Sequence, residues 1–414
     1  MSESVSPNAS RYALAFIFIT MLVDTIGLGI VIPVTPQLIK ELTGQELSGA
    51  AGWGGWLMFV FAGMQFLCAP LIGNLSDRFG RRPVLIASLA MLAIDYAITG
   101  LAPTIAWLFI GRFLSGAAGA AYPTANAYIA DVSPPEKRAA NFGLTGAAFG
   151  VGFVLGPALG GFIGGHWGAR APFFVAAAVA LANALFGLIV MKESLPASRR
   201  RAFDWSRANP IGTLKALNRF PMIFGLLGVT ILARLAHDAN PATWTYYTML
   251  KFGWTSEQVG YSLMAVGVLT AVSFGFLPRL IVPKIGETNA VYLGFLTAAI
   301  GYAGYAFSTQ PWMLYAFMVV SAFGGLGGPA LNAIMSRQVP ANEQGELMGA
   351  IASAGSITSI VAPLLLTNLF AYFTSGHAPI YFAGASFLAA ALFEFGALLL
   401  FAFAQPKAAT QPAE

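Results

Sequence analysis

Apolar stretches of roughly 20 residues, each long enough to cross a bilayer as a helix, recur from one end of this 414-residue chain to the other. That recurrence excludes an ordinary soluble fold. A backbone at membrane depth must satisfy its hydrogen bonds within the protein, which leaves helices or a closed barrel. The stretches are rich in Gly, Ala and Leu and lack the alternating polarity of barrel strands, so helices remain. The expected fold is an all-α polytopic membrane protein. Because only 9% of the residues are charged, each charge inside a stretch is informative. The 46 glycines and 24 prolines suit membrane helices that pack closely and break where they move.

Reading the stretches against the polar breaks predicts twelve transmembrane helices at 12–36, 52–73, 84–103, 105–131, 141–165, 171–191, 221–249, 257–282, 289–308, 312–338, 345–374 and 378–404. An even number puts both termini on one side. Arg11, Arg78, Arg81, Arg82, Lys137, Arg138, the segment Lys192 to Arg219, Arg279, Lys284, Arg337 and Lys407 fall on that side, and Lys40, Arg170 and Lys251 on the other. The basic side is the cytoplasmic one, so the expectation is a multi-pass protein of the inner (plasma) membrane with cytoplasmic termini. Trp53, Trp56, Trp107, Trp167, Trp254 and Trp312 lie near the opposite ends of the spans, as an interfacial belt would. The polar first ten residues, followed by an acid-bearing run, argue against a cleaved signal peptide. The net charge of +5 is spread over separate loops, so no nucleic-acid partner is expected. Cys68 is the only cysteine, which excludes disulfides within the chain and cysteine metal clusters.

The one long break divides six helices from six. The expected organisation is an N-terminal half at 1–191, a linker at 192–220 and a C-terminal half at 221–414. The linker is basic, with Arg199, Arg200 and Arg201 in a row, and reads as a solvated connector in preference to a regulatory site. The halves repeat each other. At a constant offset of 206 residues Pro123 matches Pro329, Asn126 matches Asn332, Pro134 matches Pro340, Gly143 matches Gly349 and Pro157 matches Pro363. Two pseudo-symmetric six-helix halves describe one class of secondary transporter, with the substrate site between them near mid-membrane. Asn126 and Asn332 are accordingly candidates for lining that cavity.

The densest charge lies in the stretch from Gly73 to Leu85, where Asp77, Arg78, Arg81 and Arg82 occupy four of six positions between two apolar runs. It reads as a short loop: Gly73 and Gly80 suit a tight reversal, Asp77 can cap the following helix, and the three arginines resist translocation. Orientation alone would explain the arginines. The corresponding loop of the second half, Gly275 to Gly286, keeps Arg279 and Lys284 but has no acid matching Asp77. That surplus points to a latch.

Ionisable residues inside the spans carry most weight, since each costs about 2.5–3.5 kcal/mol on insertion scales. Asp24 lies about twelve residues into the first run, roughly mid-membrane at ~1.5 Å per residue, and Asp95 at similar depth in the third. A carboxylate there can take a proton on one side and release it on the other, or it can be locked to an arginine. Arg112 lies in the outer half of the fourth run, and Arg234, His237 and Asp238 in the seventh. Arg234 and Asp238, four apart on one helix face, either neutralise each other or meet a substrate. His237 reads as a cavity-lining group, with no second His or Cys nearby to make a metal site. Asn240, Trp244, Tyr246 and Tyr247 follow on the same run and could hold an aromatic or amphipathic solute. Glu394, the only charge in the twelfth run, reads as peripheral or paired. The fifth run holds Gly150, Gly152, Gly156, Pro157 and Gly160. Spacing by four puts glycines 152, 156 and 160 on one flat face for close backbone approach, while Pro157 permits a bend. The second half has Ser356 and Ala362 for Gly150 and Gly156, so this face belongs to one half. No GxxxxGK[ST], HExxH or GxSxG motif occurs, so an enzyme is not expected, nor a cofactor or metal.

Gly73 to Leu85, Arg112 with Gly116 and Gly119, and Gly150 to Gly161 occur in that order and resemble three signatures of the major facilitator superfamily, in particular its twelve-helix drug/proton antiporters. The resemblance covers essentially the whole chain. Ser76 to Leu85, Asp95-Tyr96, Ser336 to Val339 and Thr358 to Val361 with Pro363 are similar to the tetracycline/proton antiporters. The resemblance implies that Asp24 and Asp95 are the required membrane acids, that Arg112 supports proton coupling, and that Asp77 and Arg81 form part of a cytoplasmic gate latch. One departure concerns the drug: such exporters carry a His in helix eight and an acid in helix nine, whereas Tyr261 to Leu277 and Ala290 to Ser308 hold no acidic or basic side chain. The expected function is proton-coupled export of a small aromatic or amphipathic compound by alternating access; the alternative is proton-coupled import of a carboxylated metabolite. The expected partners are protons, a small organic substrate and the lipid bilayer, with the protein a monomer.

Overall fold

The computed structural model describes residues 7–119, 121–203, 223–340 and 343–404. Among these residues all regular structure is helical. The expected linker lies outside the described residues from position 204 to its end. Eleven helical segments are long and apolar enough to span a bilayer. The remaining expected run, 221–249, forms two 14-residue helices, Phe224–His237 and Ala239–Phe252, which meet at Asp238.

In chain order the first part contains α1 (Pro7–Val31), α2 (Thr35–Thr43), α3 (Leu47–Phe79), α4 (Arg81–Leu101), α5 (Ile105–Ala118), α6 (Ala121–Val132), α7 (Arg138–Trp167) and α8 (Ala171–Val190). The later part contains α9 (Phe224–His237), α10 (Ala239–Phe252), α11 (Ser256–Gly275), α12 (Leu277–Ile285), α13 (Glu287–Phe307), α14 (Pro311–Ala322), α15 (Gly327–Arg337), α16 (Gln344–Thr374) and α17 (Ala385–Ala404). Several expected spans are thus interrupted. The first run stops at Val31, close to Pro33 with its missing N–H, and a short helix, α2, follows unexpectedly. The fourth divides at Gly119, and the tenth passes through a 3-10 turn at Phe323–Leu326. Gly119 and Gly325 stand 206 residues apart, so the break is repeated with the sequence.

The same offset recurs in whole elements. α4 and α13 have both bounds 206 residues apart. Each is preceded by a glycine in the left-handed region, Gly80 at φ 107° and Gly286 at φ 79°, which a side chain would strain. The correspondence lapses at the end: α8 runs over 171–190, but α17 starts only at Ala385.

Close packing divides the chain into two compact units. One comprises residues 1–210, 241–270 and 363–383, the other 211–240, 271–362 and 384–414. The first has an apolar core of Phe16, Ile17, Met21, Leu85, Tyr128 and Ile129, among others. Its organising helix is α7. A Cβ at Gly156 would stand 2.8 Å from Gly29 Cα and Ile26 O, one at Gly152 would meet Thr25, and one at Gly160 would strike the Ile30 carbonyl. The glycines at 152, 156 and 160 therefore let α7 lie against α1 at backbone contact. Gly150 faces open space and takes no part. A neighbouring face of α7 meets α11: Gly161 and Gly260 approach each other, and the Pro157 carbonyl lies over Gly260. At the start of α3, Gly54 lies under the Tyr246 hydroxyl and Gly55 under Thr367. These glycine contacts bind 241–270 and 363–383 into the first unit.

The second unit is built around Leu226, Val229, Val291, Phe295, Leu331, Met335, Leu347 and Phe401. On the outward faces large apolar side chains are exposed, Leu181, Leu185, Leu188 and Ile189 on α8 among them, as the lipid face of a membrane helix requires.

Candidate functional site

Helix packing brings the two membrane acids of the first unit to one tyrosine. Asp95 is fully buried on α4 and forms an ion pair with Arg112 of α5, Oδ2 to Nη2 at 2.6 Å. The Thr99 hydroxyl donates to its other oxygen at 3.3 Å. Gly111 makes this approach possible, since a Cβ there would overlap Asp95 Oδ1. The Arg112 guanidinium also lies over the Phe61 ring at 5.9 Å, a further favourable contact for a cation. Asp95 is thus the acid locked to an arginine. Asp24 is not: its Oδ1 is buried without a hydrogen-bond partner. Between them stands Tyr96, fully buried, with its hydroxyl also unpartnered. Its ring lies against Gly27, 3.4 Å from a Cβ placed there, one turn along α1 from Asp24. The charges of Asp24, Asp95 and Arg112 all act on the Tyr96 hydroxyl. In the sequence Tyr96 is marked by its place beside Asp95 and by the resemblance of that pair to the tetracycline/proton antiporters, and neither gave it a role.

The charged stretch differs from the expected loop. Asp77 and Arg78 complete the last turn of α3, Gly80 alone makes the reversal, and Arg81 and Arg82 begin α4. Asp77 therefore caps nothing. It forms an ion pair with Arg81 at 2.6 Å, and Arg81 also reaches Asp131 at 3.3 Å and Ser76 at 3.1 Å. The cap on α4 comes from the expected linker: Glu193 accepts from the Arg81 backbone amide at 2.8 Å and the Arg82 amide at 3.3 Å. A carboxylate at a helix N-terminus satisfies orphan donors and complements the helix dipole. Nearby, Ser194 donates to Asp131 at 3.0 Å, the Arg201 amide donates to the Asp77 carbonyl at 3.1 Å, and Arg82 donates to the Leu188 carbonyl at 2.6 Å. The start of the linker is therefore a docked strap, in contrast to the solvated connector expected. Glu193 escaped sequence reasoning because its partners lie more than 100 positions away. Arg78 is exposed beside Phe79, and Gly73 is free of neighbours within 4 Å.

The second half answers Arg81–Asp131 with Glu287–Arg337, an ion pair at positions 206 residues on. The charges are exchanged while the places are kept.

In the second unit, Arg234 and His237 are exposed at the end of α9, and Asp238 follows. Among the described residues no salt bridge joins Arg234 to Asp238, and the Asp238 Oδ2 and Asn240 Oδ1 atoms lack hydrogen-bond partners. Trp244 and Tyr247 are buried in the first unit. Trp244 donates to Ser262 at 2.9 Å and packs near Trp254, with ring centroids 6.5 Å apart; Lys251 donates to the Tyr247 hydroxyl at 3.2 Å. They form an aromatic core within the first unit. Asn126 accepts from Thr145 at 3.3 Å, whereas Asn332 is exposed. Glu394 is neither peripheral nor paired: it is 5% exposed, and its Oε2 has no partner. No three His, Cys, Asp or Glu residues gather to hold a metal among the described residues.

Comparison with known proteins agrees with this arrangement. The sequence profile of the Major Facilitator Superfamily matches residues 17–363, with a second match at 284–414. The chain is 39% identical over 366 residues to the class C tetracycline resistance protein of Escherichia coli, covering 87% of this chain and 90% of that one. It is 37% identical to the class G protein of Vibrio anguillarum, covering 84% and 87% respectively. Its fold resembles that of a bacterial homologue of the human lysosomal transporter Spinster, at a TM-score of 0.77 and 18% identity over 97% of each chain. Apolar spans, a helix-joining charged cluster, a glycine-faced α7 and these matches together establish that the chain is a membrane transporter belonging to the Major Facilitator Superfamily.

Proposed function

We propose that this transporter exports a small aromatic or amphipathic compound, such as a tetracycline-like drug, in exchange for protons across the inner membrane, with both termini in the cytoplasm. The reading rests on Asp24, a mid-membrane carboxylate whose buried oxygen has no hydrogen-bond partner. A bare charge at that depth is costly, so a change in access that exchanges water for protein around Asp24 is tied to the arrival or departure of its proton. Asp95 stays paired with Arg112 as a fixed dipole, and Tyr96 lies between the two acids. Arg81 and Asp77, held by Glu193, latch the cytoplasmic end, while the α7 glycines seal the other end of the first unit. Alternating access of the two six-helix halves then carries solute one way and protons the other. Arg234, His237, Asp238 and Asn240 offer polar contacts to the solute, with Asn126 and Asn332 as further lining groups.

In inverted vesicles carrying an imposed proton gradient, addition of tetracycline as the probe should discharge the gradient. Asp24→Asn should abolish that discharge while leaving the protein folded; an unchanged discharge would sink the role given to Asp24. Arg234, exposed and without an ion pair to Asp238, favours one other reading, import of a carboxylated metabolite with Arg234 as the anion's partner. Cells that accumulate a labelled carboxylate on expression of the protein would select it; cells that lose labelled drug select export.

A further inference from the structure

The stretches Tyr261 to Leu277 and Ala290 to Ser308 hold no acidic or basic side chain, yet the C-terminal half keeps one buried acid elsewhere. Glu394 is the tenth residue of the 20-residue helix α17, roughly 15 Å from either end at ~1.5 Å per residue. It is 5% exposed, and its Oε2 atom has no hydrogen-bond partner. α17 packs against α9 and α13, and the titratable groups on those helices account for what surrounds it. Tyr305 shares a hydrogen bond with Ser321 at 2.9 Å, Tyr292 packs on Phe401, and Glu287 is paired with Arg337. Arg234 acts on His237 and Asp238. Tyr302 remains, and the charges of both Glu394 and Asp238 act on its hydroxyl. No cation among the described residues forms a salt bridge with Glu394, and buried polar groups in native proteins are otherwise satisfied.

We propose that Glu394 is a second proton-binding site, belonging to the C-terminal half, with Tyr302 and Asp238 as its polar neighbours. An isolated carboxylate in the middle of a membrane helix marks a functional site because the ionised form is so costly there. A proton is the ligand that removes the charge without needing room. The proton reaches Glu394 when water does, on the face where Arg234, His237 and Asp238 end α9. This inference goes beyond Asp24 and rests on the transport reading above only for the use made of the proton.

Infrared spectroscopy of the purified full-length protein in lipid films tests the site without needing transport. The background variant is Asp24→Asn, which removes one further unpaired membrane acid, while Asp238 is common to every variant compared and cancels in difference spectra. In the difference between the Asp24→Asn and Asp24→Asn/Glu394→Gln spectra a protonated-carboxyl carbonyl band should be present at acidic pH and fade as pH rises; Glu394→Asp should shift that band but keep it. Identical spectra with and without Glu394→Gln, or a Glu394 band that never fades with pH, would overturn the proposal. In vesicles with tetracycline as probe, Glu394→Gln alone should shift the pH response of transport, with Asp24 still carrying its own proton, and Glu394→Asp should restore the native response. A fading Glu394 band in a protein that moves no protons with drug would leave this site standing while removing the antiport reading.

Discussion

The α1–α7 contact makes a quantitative prediction about glycine. At Gly156 a Cβ would stand 2.8 Å from the backbone of Gly29 and Ile26, against an ordinary limit of 3.4 Å. α1 and α7 must then part by about 0.6 Å, because both atoms met are backbone and cannot rotate away. Over-packing of this kind costs about 1–3 kcal/mol, or roughly five- to 150-fold in the population of the close-packed arrangement. Gly→Ala also favours any helix by about 0.5–1 kcal/mol, which would blur the effect if the variant were compared with the native protein. Gly150→Ala provides the reference, since Gly150 lies on the same helix with nothing within 4 Å, and the propensity gain cancels between the two variants. Unfolding in mixed micelles should therefore place Gly156→Ala below Gly150→Ala by about 1–3 kcal/mol. Asp24 lies two residues from Ile26 on the displaced segment, so drug-driven proton flux should fall in Gly156→Ala and persist in Gly150→Ala. Equal stability and equal flux in the two variants would refute the claim that this face is held at backbone contact.

Glu193→Gln should lower stability by about 2 kcal/mol, since it removes a charge from a helix N-terminus and turns an amide NH2 toward backbone donors; unfolding midpoints and transport rates together check this, and an unaltered protein would show the strap to be idle. Arg112→Gln should cost about 3–5 kcal/mol by leaving Asp95 buried and unpaired, while the Asp95→Asn/Arg112→Gln double variant recovers most of the stability without recovering transport. Recovery of both properties would mean that the pair is wholly structural.

How far the sequence revealed this protein depended on how each feature is encoded. Apolar runs are local, and so are the glycines of α7, whose spacing of four predicted the face that meets α1. The breaks at Gly119, at Asp238 and through Phe323–Leu326 were hidden because hydropathy continues across them; a break costs hydrogen bonds without changing composition. The charged stretch was found but misread, for two glycines suggested a loop where Gly80 alone turns the chain and Asp77 remains helical. Glu193 was invisible for a different reason: a cap supplied from over 100 residues away leaves no pattern at either place. A single acid such as Glu394 has no spacing to read, so only its burial distinguishes it from a peripheral charge. Asp24 and Asp95 looked alike in sequence, and it took the approach of α5 at Gly111 to show that one is paired and the other is not.

The central claim is that Asp24 carries the coupling proton, and exchange in proteoliposomes tests it most directly. Purified protein would be reconstituted and given tetracycline under two conditions, equilibrium counterflow with no proton gradient and uphill accumulation driven by an imposed one. Asp24→Asn should retain counterflow, because the solute path and the alternating motion survive, and should lose accumulation entirely. Uphill accumulation by Asp24→Asn at the native level would contradict the account.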